Sequence, residues 1–526
     1  ANELVQFMQP GAGSIALNRI LGGNASQILG QLKANGRVFI VNPRGVLFGS
    51  TARVDVAGLL ATTLDTDNAD FMNGDFRFEK VDGVDASFIV NAGRIEVGTN
   101  GFAFLVAPTV DNQGLIVAKL GTVALASGDT LTLDFRGNGL VTYAVSGNLA
   151  EQVVKNGGTI SNPGGQVVLS AESGPAVLTS VVNNDGMIEA QSLVERNGKV
   201  VFTGGDGAAW NAGSIDVSGA EEGAAGGEVE ISGRFAGTAG STDATGAGAA
   251  DGGRVTISSE RHSLVADAAT IDVSGGHSGT GGTVALLSLN RSTLNGQIGA
   301  RGGDQTGDGG FVDVSSPGEV ELRGQVDASA PNGKTGTLLI DPKNIEVNNA
   351  GGAAYADGAN NQFANDPDGT VNDPTIITAT SINGQGADVV LQANTDITVS
   401  SAISISSANT ALTMQAGRSV RINADISTND GTIAITANDP TAQAANRDAG
   451  VGEIVMAAGT TVDADGGSIV LTTSANGHGD AGGVTVDRVT TDGSLTINSY
   501  GAIREADTDD EVDLRANILT LEFQLA

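Results

Sequence analysis

Carboxylates are the groups most able to do chemistry in this chain, with 60 Asp and Glu against 27 Lys and Arg. Three of them recur at matching places. They are Asp216 in Ile215-Asp216-Val217-Ser218-Gly219, Asp243 in Thr242-Asp243-Ala244-Thr245-Gly246, and Asp272 in Ile271-Asp272-Val273-Ser274-Gly275. Stacked about 4.8 Å apart, neighbouring carboxylates would repel by about 1 kcal/mol even in water. A Ca²⁺ ion, which collects several carboxylate and carbonyl oxygens, would relieve that repulsion. A solvated acidic face that keeps chains from pairing at their edges explains the same spacing without a metal. The Gly-Gly-x-Gly-x-Asp nonapeptide of calcium β-rolls is absent, and Gly299 stands where the next Asp would fall. Calcium is therefore the one cofactor to test, and the solvated face is the simpler account.

Other reactive constellations are weaker. Carboxylate pairs suited to cleaving a polysaccharide are plentiful, but a site also needs defined spacing and, for a lyase, a basic neighbour. The Lys and Arg residues are scattered instead. His262, His277 and His478 lie in unrelated settings, and no His-x₃-His pair suggests zinc. Sugar platforms are scarce, with Trp210 and Tyr143, Tyr355 and Tyr500 the only candidates, and the alternating Phe102 and Phe104 read as core. The Gly-rich stretch Ala220–Gly253 is not followed by Lys-Ser/Thr and does not read as a phosphate cradle. The chain has no Cys, which rules out disulfides and thiolate metal sites. A net charge of −33 argues against nucleic acid, which requires a basic face. No apolar run is long enough to span a bilayer as a helix. Ala1-Asn2-Glu3 does not begin a signal peptide, so the sequence reads as a mature or trimmed chain. Catalysis is not expected.

The elements that would carry these residues are short strands. The Ile-Asp-Val-Ser-Gly unit returns in weaker form at Ile298 and Val326, a step of roughly 28 residues that signals a solenoid. Interleaved with it are Val229-Glu230-Ile231, Val255-Thr256-Ile257, Val284-Ala285-Leu286 and Val312-Asp313-Val314, each preceded by a Gly-Gly pair. Apolar and polar residues alternate, so each strand has one buried face, which a single coil cannot cover. Stacked coils can. The expected fold is all-β, a right-handed parallel β-helix with an N-terminal cap and with Gly at tight corners. A β-sandwich would not require so constant a period.

The same grammar reaches back through Asn91-Ala92-Gly93-Arg94-Ile95 and Asn112-Gln113-Gly114-Leu115-Ile116, an Asn-x-Gly-x-Ile turn leading into a strand. Residues 1–64 are less regular, as a capping segment would be. Three regions result. Residues 1–235 hold the cap and first coils, 236–345 the Gly-rich repeats, and 346–526 further repeats after an Ala/Asn/Asp/Gly excursion near 350–375.

The turn Asn42-Pro43-Arg44-Gly45 adds a different signal. Alone it would be an ordinary turn, because Asn and Gly tolerate positive φ and Pro presets one dihedral. It stands in order with Phe7-Met8-Gln9-Pro10, Ser14-Ile15-Ala16-Leu17-Asn18-Arg19 and Leu60-Ala61-Thr62-Thr63-Leu64. Together these blocks resemble the N-terminal secretion domain of two-partner secretion exoproteins, the filamentous-haemagglutinin type of Gram-negative bacteria. Leu338-Leu339-Ile340-Asp341-Pro342-Lys343-Asn344-Ile345 resembles a further block of that family. The family's Asn-Pro-Asn-Leu motif is absent. The resemblance implies export through a partner outer-membrane transporter, with Asn42, Pro43, Arg44 and Gly45 as the secretion motif. It also implies a secreted or cell-surface adhesin that meets an extracellular polysaccharide or a host or matrix ligand in attachment, aggregation or biofilm. Family members usually continue much further than this chain. A haemolysin, a haem-acquisition protein and the stalk of a contact-dependent toxin share this type of N-terminus. A β-helical polysaccharide-degrading enzyme is the alternative of another class.

Overall fold

A computed structural model describes residues 3–84, 87–135, 142–146, 153–171, 181–350, 373–508 and 512–523. Strands dominate, most of them parallel, and among the described residues only Asn68–Met72 and Ala379–Asn383 form α-helices. The contacts divide the chain into two compact units, residues 1–260 with 269–282 and residues 261–268 with 283–526. Position 235 lies inside the strand Glu228–Thr238, so no break in coiling marks it. The excursion expected near 350–375 falls almost wholly outside the described residues.

In the first unit the early coils contribute three short strands each, as in Gln31–Ala34, Arg37–Val41 and Val46–Phe48, and further on two of the three run together, as in Glu228–Thr238. Every strand pairs with its equivalents in the coils before and after. One column runs Leu32, Val54, Ile95, Ile116, Ile160, Ile188, Ile215, Thr242 and Ile271, aligned by parallel pairing and buried throughout. This is the parallel β-helix that the period predicts. Residues 4–62 already coil in register, with Leu4 opposite Gln31, Ile15 opposite Arg37 and Ser26 opposite Val46. The Gly-Gly pairs lie where the chain passes close against the backbone of a neighbouring coil. A Cβ on Gly226 would overlap the Ala244 carbonyl, which leaves glycine as the residue that fits.

The Asn-x-Gly-x-Ile turns build a buried ladder. Asn91 Nδ2 donates to Asn112 Oδ1 at 2.8 Å, Asn112 to Asn156 at 2.7 Å, Asn156 to Asn184 at 2.8 Å and Asn184 to Asn211 at 2.8 Å. Asn211 ends the series by donating to Thr238 Oγ1 at 3.1 Å. All six side chains are fully buried. Buried amides are tolerable because each rung meets the next, and one missing rung strands its neighbours.

The sheet containing Arg37–Val41 is also covered on its outer side. Its strands carry unbroken apolar runs, Val38 to Val41, Leu59 to Ala61, Phe102 to Val106 and Val123 to Ala126, all buried. Unbroken runs mean that both faces are dry. The outer column Leu17, Phe39, Leu60, Phe104 and Ala124 is aligned by strand pairing. Over it lie helix Asn68–Met72 and an antiparallel sheet of Phe76–Glu79, Thr130–Asp134 and Thr142–Ser146. Phe39 is the hub, with ring centroids of Phe71, Phe76 and Phe78 at 6.1 Å and of Phe102 and Phe135 at 6.3 Å. The Arg37 guanidinium closes the rim, 4.4 Å from the Phe135 ring. Phe102 and Phe104 are core, as their alternation suggested.

The second unit repeats the plan with its own inward columns, among them Leu338, Val389, Leu412, Ile433, Ile469 and Leu495. It also holds a buried polar row. His262, Arg291 and Glu319 are aligned by strand pairing. Arg291 Nη2 meets Glu319 Oε2 at 2.6 Å, and His262 Nε2 lies 2.9 Å from Thr293 Oγ1. Burial, reinforced by the Arg291 charge, pushes the His262 imidazole down to about 3. Burial and the charge of Asp313 push Asp341 up to about 6.

Two measurements test this account. Asn156→Ala leaves the Asn112 donor and the Asn184 acceptor unpaired in the interior, and should destabilise the chain by about 2–5 kcal/mol in chemical denaturation. His262 is neutral when folded, whereas an unfolded imidazole takes a proton below about 6.5. Its contribution is therefore complete above pH 6.5 and is lost as pH falls toward 3. His262→Gln should remove about 2 kcal/mol of the stability difference between pH 7 and pH 5. Asp341 acts in the opposite sense over pH 4–6, so the His262 contribution is read as wild type minus variant.

Candidate functional site: the Asn42–Gly45 turn

The four blocks of the N-terminal signal meet on one side of the first coils. Leu17 and Leu60 flank Phe39 in the outer apolar column. Gln9 Nε2 donates to the carbonyls of Ser14 at 2.8 Å and Arg37 at 3.0 Å, tying the first two coils together. Arg19 clasps Asp65 with two bonds, Nε to Oδ1 at 2.7 Å and Nη2 to Oδ2 at 2.6 Å. That contact holds the Asp65 carboxyl below its ordinary range and raises the Arg19 guanidinium. Asp65 in turn bridges to Glu79 of the covering sheet, so the clasp fixes the base of that layer.

Asn42 to Gly45 turns the chain between strands Arg37–Val41 and Val46–Phe48. The Gly45 N–H returns to the Asn42 carbonyl at 2.9 Å, and the Arg44 N–H donates to Asn42 Oδ1 at 2.9 Å. Asn42 Nδ2 reaches the preceding coil, donating to the Asn24 carbonyl at 3.1 Å and Ser26 Oγ at 2.9 Å. The Asn42 N–H reaches the following coil, donating to the Thr62 carbonyl at 3.0 Å. Gly45 has φ +111°, and a Cβ there would sit 2.8 Å from the Phe88 carbonyl oxygen. Asn42 and Gly45 are thus buried fixtures. Arg44 is exposed, and Pro43 is half-buried beside a small crevice lined by Thr63, Leu64, Lys80 and Pro108.

The residues match a known domain. Residues 1–217 fit the model of the TPS secretion domain, TPS standing for two-partner secretion. Residues 1–217 therefore carry a two-partner secretion domain. Proteins with this domain are secreted to the extracellular space or the cell surface, and this chain is placed with them. The chain is 35% identical over 212 residues to a heme/hemopexin-binding protein of Haemophilus influenzae strain Rd, covering 39% of this chain and 23% of that one. A second heme/hemopexin-binding protein of Haemophilus influenzae is 31% identical over 220 residues, covering 38% and 23%. The chain therefore spans about a quarter of the length of these curated relatives. The crystal structure of the HMW1 secretion domain from Haemophilus influenzae matches with a TM-score of 0.56 and 27% identity. It covers 63% of this chain and 88% of that one.

The acidic ladder is placed as its spacing predicts, with Asp216, Asp243 and Asp272 aligned on adjacent strands. Each carboxylate is engaged by its own turn. Asp216 Oδ1 accepts from Ser218 N at 3.0 Å and Oγ at 2.6 Å, Asp243 Oδ1 from Thr245 N at 3.0 Å and Oγ1 at 2.8 Å, and Asp272 Oδ1 from Ser274 N at 2.9 Å. The recurrent Asp-x-Ser/Thr is a turn device. Among the described residues no group of three or more His, Asp or Glu is placed to hold a metal ion. The histidines stay apart, His262 buried and His277 and His478 exposed at loop tips.

The turn separates structure from surface in a way mutation can read. Asn42→Ala removes a buried side chain with bonds to its own turn and the preceding coil, and should cost about 2–4 kcal/mol in denaturant unfolding. Arg44→Ala should change stability by less than about 0.5 kcal/mol.

Proposed function

We propose that the chain is the N-terminal part of a secreted surface adhesin, handed to a partner outer-membrane transporter through the exposed side of the Asn42–Gly45 turn. The observation that supports this reading is the division of labour within the turn. Asn42 and Gly45 hold the backbone between two coils, and Pro43 and Arg44 are presented outward. A cation on a rigid turn stands out on a chain of net charge −33 and would orient its docking on an acidic or carbonyl-rich partner. The adhesin reading is supported by the resemblance and by the stacked coils within each unit. An extracellular polysaccharide or a host or matrix protein is the ligand class to screen.

Haem acquisition is the second reading, favoured by the printed names of the Haemophilus influenzae relatives. The likeness to the first covers 39% of this chain, close to the share occupied by the secretion domain. Neither of the two cavities described is lined by a histidine. Titration of haemin should therefore give no saturable Soret shift that depends on His277 or His478, and such a shift would move the assignment to haem capture.

Arg44→Glu tests the export proposal directly. The purified variant should keep wild-type β content and stability, while the secreted fraction from cells with the transporter should fall severalfold. Normal secretion of both Arg44→Glu and Pro43→Ala would overturn the docking role.

A further inference from the structure

One corner of the second unit is built to very different lengths. Residues 342–344, 394–396, 417–419 and 500–502 each make it in a minimal step between consecutive strands. Residues 438–451 make the same corner, between Ile433–Ala437 and Gly452–Met456, by a far longer path. Rather than projecting away, that path doubles back along the stack, whose order is set by the pairing of Ile345 with Ile397, Ile397 with Val420 and Val420 with Ile454. The Asp439 N–H donates to the Ala416 carbonyl at 3.0 Å, one coil back. Ala442 is buried over Gly417, where a Cβ would come within 2.6 Å of its own. Two coils back, the Gln443 N–H donates to Asn394 Oδ1 at 2.8 Å and the Asp448 N–H to Thr395 Oγ1 at 3.1 Å. Three coils back, Lys343 Nζ lies 3.2 Å from Asp448 Oδ1, with Asp373 Oδ2 at 3.7 Å on the same ammonium.

Two arginines clasp the loop reciprocally. Arg447 within it donates Nε to the Gly417 carbonyl, and Arg418, beside that glycine, donates Nη1 to the Ala449 carbonyl at 2.8 Å. Arg418 is itself anchored on Asp396, Nε to Oδ1 at 2.9 Å and Nη2 to Oδ2 at 2.6 Å. In the forward direction the buried Asn438 donates Nδ2 to the carbonyls of Ser474 at 2.8 Å and Gly479 at 2.9 Å. One loop therefore bonds to every coil from that of Lys343 to that of Gly479. The Lys343–Asp448 pair is partly exposed and weak by itself, so the backbone bonds and the buried Ala442 carry most of the contact.

We propose that residues 438–451 are a strap that locks the coils beneath them into one cooperative block. Coils of a solenoid ordinarily touch only their neighbours, so stability adds coil by coil and the stack can open one coil at a time. Bonds that skip two or three coils remove that freedom, because a coil under the strap cannot leave without releasing the strap as well. The strap follows in the chain the coils that it covers, so it closes over coils already formed. On the export reading, from which the inference takes its biological use, such a lock holds the finished coils folded outside the cell.

Hydrogen exchange of the full 526-residue chain, followed by mass spectrometry across a denaturant series, tests the proposal. Strands Asp388–Ala393, Leu412–Ala416 and Ile433–Ala437 should open together, with one shared denaturant dependence. Replacing residues 438–451 by the short corner 417–419 should divide that block and lower protection in the three strands at least about tenfold. The circular dichroism of that variant should keep its β signal, which separates loss of the lock from loss of the fold. Arg447→Ala removes the clasp on Gly417 and leaves the loop in place, and should lower the same protection severalfold. Arg421→Ala removes a pair with Glu453 between neighbouring coils and should leave the block whole. Wild-type strands that exchange independently, or a shortened variant that still opens as one block, would overturn the proposal. If the shortened chain does not fold, Arg447→Ala opening like wild type overturns it instead. Failure of the export reading would look different, with the block intact in solution and secretion indifferent to the shortened corner.

Discussion

A coil of this protein has almost no backbone partner of its own. Each N–H and C=O of its strands is satisfied by the coil before or the coil after, so register between coils governs the rest of the structure. Slipping one strand by one residue would turn the inward Val and Ile side chains to water and bring polar neighbours into the core. The Asn ladder adds a second lock on that register, because its amides meet only when successive turns are level. The Asn42–Gly45 turn is held partly in the same manner, with bonds to the coil on either side added to those within itself. What makes the motif rigid is therefore the stack, and the motif's outward residues inherit that rigidity.

Much of this was legible in the sequence. The step between copies of Ile-Asp-Val-Ser-Gly and the alternation within each strand were enough to give the parallel β-helix, because both follow directly from coil geometry. The alignment of Asp216, Asp243 and Asp272 followed from the same period, but their chemistry did not. The Ser or Thr two residues on from each Asp marks a carboxylate already bonded within its own turn, a local signal that stacking arguments pass over. The Asn-x-Gly-x-Ile signature was visible at Asn91 and Asn112 as a turn. Its recurrence at Asn156, Asn184 and Asn211 carried the further message of a ladder, obscured by the longer step from Asn112 to Asn156.

The covering layer over Phe39 was the part least open to sequence reasoning. Its strands Phe76–Glu79 and Thr130–Asp134 lie far apart in the chain, and nothing local says that they pair. The usable signal was indirect. Phe102 to Val106 and Val123 to Ala126 do not alternate, and a solenoid strand without alternation must be dry on its outer side as well. The side chains of Arg19 and Asp65 show why the family blocks are scattered along the sequence. They come from different coils and meet only where the covering layer is anchored, so their spacing reflects the fold rather than a continuous motif.

The Asn ladder has a polarity that reaches beyond stability. From Asn112 to Asn211 every rung presents an acceptor to the coil behind it and a donor to the coil ahead, so each is a repeating unit with a head and a tail. Thr238 ends the series, its hydroxyl accepting from Asn211 Nδ2 and donating to the Asn211 carbonyl. A whole coil bearing Asn-x-Gly-x-Ile could be duplicated or deleted between Asn91 and Thr238 without changing the chemistry of either junction. Long insertions are absorbed between rungs, as the 44-residue step from Asn112 to Asn156 already shows. The ladder is thus a grammar for gene-level growth, one in which length can vary while the ends, and the Asn42–Gly45 turn that precedes them, stay the same.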